Sequence, residues 1–120
     1  MIPSNIYQII KFQVLVNVLV VGSGGREHSI GWKLGQSNNV NTVFYAPGNG
    51  GTLNNVPISV DNLDELAKFA SENNCFTVVG PEAPLAIGIV DMFNERDLKI
   101  FGPTKNAARL ESSKIWAKQF

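Results

Sequence analysis

The stretch Val14-Leu15-Val16-Asn17-Val18-Leu19-Val20-Val21-Gly22-Ser23-Gly24-Gly25-Arg26-Glu27-His28 decides the fold. Its first half is apolar and largely β-branched, with Asn17 the one polar residue. That composition fits a strand covered on both faces. The segment that follows the glycines reads as helix. Strand, glycine turn, helix is how α/β proteins present backbone N–H groups to an anion. A phosphate approaches the backbone closely only where no Cβ intervenes, and glycine also accepts φ > 0 in the turn.

Working outward, the first strand is expected over residues 17–21 and the helix over 26–36. Ile30 and Leu34 share one face of it. Gly31 weakens this helix but permits close packing on a sheet. A second strand is expected over 42–46, ended by Pro47-Gly48-Asn49-Gly50-Gly51 and a loop to about residue 59. Asp61 is the expected N-cap of the next helix, in which Leu63, Leu66, Ala67 and Ala70 repeat at helical spacing. Residues 76–79 form a third strand, stopped by Gly80-Pro81. Pro84 then opens one helix whose apolar face is Leu85, Gly88, Ile89, Met92 and Phe93. Residues 99–101 are the fourth strand, stopped by Gly102-Pro103. Thr104 caps a short helix to about residue 110, and Ser112 or Ser113 caps another. Residues 1–13 read as an extra strand, a helix or a loosely tied tail.

Strand and helix thus alternate. Short connections of this kind demand an open parallel sheet with right-handed crossovers and helices on both faces, an α/β fold. Every strand ends in a loop at the carboxyl edge, where open α/β sheets bind ligands.

Composition narrows the function. The chain has 120 residues, 44% of them apolar, enough for one domain with a core. Ten basic and ten acidic side chains cancel, so no general attraction to nucleic acid or to an acidic membrane is expected. Residues 9–21 are too short and too polar for a membrane span. Cys75 is the only cysteine, which fits a reducing cytoplasm and leaves no disulfide or cysteine metal site.

The glycine turn approximates G-x-G-x-x-G, but Glu27 holds the sixth position. Tyr45-Ala46-Pro47 stands where a dinucleotide site wants an acidic residue for the ribose. Both points oppose NAD. No Gly-Lys-Ser or Gly-Lys-Thr occurs, so a P-loop is excluded. A phosphate monoester remains, held by amides of Ser23, Gly24, Gly25 and Arg26 and by the Arg26 fork.

Four motifs then point to a family: Gly22-Ser23-Gly24-Gly25-Arg26-Glu27-His28, Ala46-Pro47-Gly48-Asn49-Gly50-Gly51-Thr52, Gly80-Pro81-Glu82-Ala83-Pro84-Leu85 and Phe101-Gly102-Pro103-Thr104-Lys105. In this order they resemble the amino-terminal, Rossmann-like pre-ATP-grasp domain of phosphoribosylamine–glycine ligases. The resemblance covers residues 17–120. It implies ligation of glycine to 5-phosphoribosylamine with ATP and Mg2+ or Mn2+, through glycyl phosphate, in purine biosynthesis. It also implies that the ATP and metal sites lie in ATP-grasp domains outside this chain, in cis or in a partner chain. On this reading the chain binds no cofactor and does not ligate alone. Residues 17–111 are the substrate-binding domain, and 112–120 begin the ATP-grasp region. Residues 1–16 have no counterpart, which leads to the expectation of a true start at Val16.

Within the candidate site, Glu82 sits past a buried strand, placed either to address the ribose or amine or to cap the helix at Pro84. Asn49, Gly50, Gly51 and Thr52 read as a wall over the substrate, with Asn49 and Thr52 as polar contacts, or as plain spacer. Glu27 and His28 either orient the turn or occupy a solvated helix start. Lys105 reads as exposed, and Cys75, Trp32 and Trp116 as packed. No catalytic set or metal cluster is evident. A stand-alone sugar-phosphate or nucleotide-binding regulatory module is the alternative function.

Overall fold

Residue by residue, the alternating pattern becomes a four-stranded sheet in the computed structural model, which describes residues 15–102. The expectations for residues 1–13, for helices beginning at Thr104 and at Ser112 or Ser113, and for Lys105 and Trp116 lie outside the described residues. The strands are β1 (Val16–Gly22), β2 (Val40–Pro47), β3 (Cys75–Val79) and β4 (Ile100–Phe101). Their order is β2-β1-β3-β4 and all pairs are parallel. The helices are α1 (Gly25–Gly35), α2 (Leu63–Glu72), α3 (Glu82–Ala86) and α4 (Ile89–Glu95).

Alternation along the strands assigns the two faces. Leu19 and Val21 of β1 point to one side and pack with α2, α3 and α4 through Leu66, Ala70, Leu85, Ile89 and Phe93. Val18 and Val20 point to the other and pack with Tyr45, Val78 and the Ile30 and Leu34 stripe of α1. Helices therefore cover both faces, as right-handed crossovers require. Because the chain leaves β1 for β2 on one side and returns to β3 on the other, the sheet switches direction between β1 and β3. That seam is where such sheets bind ligands.

Several local expectations are corrected. Asn62, not Asp61, caps α2: its side chain accepts from the Glu65 N–H at 3.4 Å, while Asp61 Oδ1 accepts from the Ser59 hydroxyl. The helix expected to run on from Pro84 is two helices. Gly88 breaks it by adopting φ +96°, a left-handed conformation that glycine takes without strain. Trp32 does not pack; it is 63% exposed, because it lies two residues from both Ile30 and Leu34, on the outer face of α1. Gly31 does allow close packing, against the Tyr45 ring.

Among the described residues no helix is long and apolar enough to cross a membrane.

Candidate functional site

The turn between β1 and α1 occupies the β1/β3 seam. Ser23, Gly24, Gly25 and Arg26 are exposed, and Gly24 is the N-cap of α1 with no side-chain cap. A helix start of this kind leaves its first N–H groups without intrahelical partners. Among the described residues the N–H groups of Ser23, Gly24, Gly25 and Arg26 donate to nothing, and the first helical bond is His28 N–H to the Gly24 carbonyl at 3.1 Å. The amides of the turn are not satisfied within it.

Its carbonyls, in contrast, are in use. Asn49 Nδ2 donates to the Ser23 carbonyl at 2.8 Å, and Gly48 N–H donates to the Gly22 carbonyl at 3.0 Å. These two bonds fasten the loop after β2 to the turn. On the other flank, Gly80 N–H donates to the Val21 carbonyl at 3.1 Å, and Arg26 Nη2 donates to the Gly80 carbonyl. Arg26 thus ties α1 to the loop after β3 with one donor and keeps the rest of its fork.

The loop after β2 is organised by Asn49. Its Oδ1 accepts from Gly51 N–H at 2.8 Å, and its N–H donates to Thr52 Oγ1 at 2.8 Å. The Thr52 hydroxyl is also 2.5 Å from Asn55 Oδ1, and Asn55 Nδ2 donates to the Asn49 carbonyl at 2.9 Å. Thr52 is buried. Thr52 therefore spends its hydroxyl on the loop itself, and Asn49 divides its side chain between the loop and the Ser23 carbonyl, while Gly50 and Gly51 present exposed backbone. Gly51 and Thr52 also line a groove of about 560 Å³ between α1 and β2, beside Tyr45 and the exposed Trp32 and Leu53. Burial raises the pKa of the Tyr45 hydroxyl.

Glu82 is the first residue of α3, directly after Pro81, and is exposed at the carboxyl edge. Glu27, by contrast, is buried at 6% exposure and lies against Gly22, Gly24 and Gly80. His28 meets Tyr45 edge to face, with ring centroids 6.3 Å apart. The turn and the loops after β2 and β3 are thus brought to one edge, with Thr52 turned into its own loop and Asn49 reaching across to the turn.

Nothing in the local sequence around Glu27 announces its burial. A signal exists in hindsight: glycine at both 22 and 80 leaves room for one long side chain between two strand ends.

A family model described as the phosphoribosylglycinamide synthetase N domain matches residues 16–111. The chain belongs to that family. Curated phosphoribosylamine–glycine ligases from Pseudomonas aeruginosa, Vibrio parahaemolyticus and Ralstonia nicotianae are 54%, 54% and 58% identical to it, over 110, 111 and 111 residues. Each alignment covers 88% of this chain and 26% of the relative, so the chain spans about a quarter of the length of the curated relatives it matches. The family resemblance carried by the loop motifs is borne out.

Among the described residues no three His, Cys, Asp or Glu side chains are grouped so as to hold a metal ion. Those described residues do not by themselves make a divalent-metal centre.

Proposed function

We propose that this chain supplies the substrate-binding amino-terminal part of a phosphoribosylamine–glycine ligase acting in purine biosynthesis. The substrate it takes is 5-phosphoribosylamine. One observation carries the reading: the exposed N–H groups of Ser23, Gly24, Gly25 and Arg26 at the sheet's switch point, with the neighbouring loops fastened around them. Amides at a helix start and the unspent Arg26 donors suit a phosphate. Glu82 suits ribose hydroxyls or the amine. Gly50 and Gly51 form the wall, and Asn49 and Thr52 hold it in shape.

Glycine and ATP bind elsewhere in this reading. ATP-grasp domains, in cis or in a partner chain, hold the nucleotide with Mg2+ or Mn2+. The chain alone does not ligate, works in the cytoplasm, and engages neither nucleic acid nor membrane.

Calorimetric titration with ribose 5-phosphate tests the reading. Saturable binding at one site is expected; a folded chain that gives no binding overturns it. The purified chain is also expected to release no ADP with glycine, ATP and phosphoribosylamine present, and release dependent on all three would refute the division of labour.

A further inference from the structure

Glutamate in the first turn of a helix normally extends into water. Glu27 does the opposite. It is 6% exposed, and among the described residues its side chain has neither a hydrogen bond nor an ion pair. A Cβ on Gly22 would lie 2.6 Å from Glu27 Oε1, a Cβ on Gly80 2.4 Å from the same oxygen, and one on Gly24 3.0 Å from Oε2. Oε1 therefore sits over the β1/β3 seam, and Oε2 lies beside the N-cap of α1. Three positions without side chains make room for this carboxylate.

Space-filling alone does not call for a charge. Leucine, methionine or glutamine would fill similar volume without burying an uncompensated anion. An ionised carboxylate accepts hydrogen bonds and donates none, so it needs donors. No guanidinium supplies them: the side-chain bond Arg26 makes goes to the Gly80 carbonyl, and among the described residues no arginine or lysine pairs with Glu27. The adjoining face of the turn is the one with exposed amides.

We propose that Glu27 is a specificity-determining residue of the crevice, the inner acceptor for O–H or N–H donors of a bound sugar phosphate. The inference rests on the reading of this turn as a sugar-phosphate site. The exposed amides take the anion, while the carboxylate beside them opposes a bare phosphate by like-charge repulsion. A ligand gains fully only when its phosphate is accompanied by ring hydroxyls or an amine that bond to Glu27. The chemical class selected is a hydroxy- or amino-sugar phosphate, against simple phosphate esters.

The test compares ribose 5-phosphate with methyl phosphate by calorimetry, in the unaltered chain and in Glu27→Gln. The unaltered chain should prefer ribose 5-phosphate by at least about tenfold, the effect of hydrogen bonds to a charged acceptor. In Glu27→Gln the preference should shrink by about threefold or more relative to the unaltered chain, with methyl phosphate bound as well as before or better. A variant that keeps the preference, or loses affinity for both ligands alike, overturns the proposal. Should Glu27→Gln not fold, the unaltered chain still decides, since equal affinity for the two ligands overturns the role of Glu27. Equal binding of both leaves the anion-binding turn standing and removes only Glu27; binding of neither removes the sugar-phosphate reading and this inference with it.

Discussion

Gly31 and Tyr45 are packed so closely that a Cβ on Gly31 would lie 2.2 Å from the tyrosine hydroxyl oxygen and 2.5 Å from Cζ. Both residues are buried, and the ring belongs to the smaller core under α1. Gly31→Ala should therefore destabilise the fold by about 1–3 kcal/mol, despite alanine's better helix propensity. Gly35 is the control. Its nearest neighbour would be Val43 Cγ2 at 3.5 Å, an ordinary contact. Gly35→Ala should be neutral or stabilise by up to about 1 kcal/mol. Urea unfolding of the two variants checks the contrast; equal effects would deny the close approach.

Asn49 should behave as a structural hub. Asn49→Ala removes the bond to the Ser23 carbonyl and the bond from Gly51 N–H. A loss of about 1–2 kcal/mol is expected, with faster amide exchange at Gly51. Asn49→Asp keeps an acceptor for Gly51 but not the donor to Ser23. It should preserve Gly51 protection while loosening the link to the turn, which amide exchange resolves residue by residue.

Thr77 is fully buried, and its Oγ1 has no hydrogen-bond partner among the described residues. Thr77→Val replaces that hydroxyl with a methyl of similar shape on a central strand. Stability should stay level or rise by about 1 kcal/mol. Thr77→Ser keeps the hydroxyl and removes the methyl, and should cost about 1 kcal/mol. Thermal unfolding orders the three proteins.

Cys75 gives the fold an alkaline weakness. Burial pushes its thiol from 9.0 up to about 11. Between those values the unfolded chain has lost the proton and the folded chain still holds it. Stability is therefore full below about pH 9 and falls as pH rises toward 11, by at most about 3 kcal/mol from this group. Cys75→Ala should flatten that part of the pH profile, in denaturant midpoints measured from pH 8 to pH 11. Tyr45, whose pKa burial also raises, leaves a residual decline from higher pH.

Glu82 is exposed at the first position of α3, so its removal should be structurally mild. Glu82→Gln is expected to change stability by less than about 1 kcal/mol, the scale of a charge at a helix start. Affinity for ribose 5-phosphate should fall about tenfold if the carboxylate receives ribose hydroxyls. Unchanged affinity would assign Glu82 to the helix start alone.

Much of this was readable from local signals. The apolar run before Gly22 announced a central strand, and the Leu63, Leu66, Ala67 and Ala70 spacing announced α2, because burial on one face imposes a period. The choice between Asp61 and Asn62 as cap was not readable: both side chains can accept from a backbone N–H, and the neighbouring Ser59 hydroxyl decided by occupying Asp61. Gly88 fitted an apolar helical stripe, and its left-handed φ is invisible to periodicity. Glu27 was the largest gap at the site. Its burial depends on Gly22 and Gly80, which belong to different strand ends and meet only in the folded sheet. Hydrophobicity argues for a packed Trp32, but its phase on α1 relative to Ile30 and Leu34 places it outside.

The fastening of the turn has an evolutionary side. Ser23 contributes its main-chain carbonyl to Asn49, and Gly80 contributes the same group to Arg26. A main-chain oxygen is present whatever residue occupies the position. Selection for these two links therefore presses on the partner that donates, and mutational drift is cheap at Ser23 while it is costly at Asn49 and Arg26. Gly80 escapes that freedom only because the Glu27 side chain already fills the room a larger residue would need.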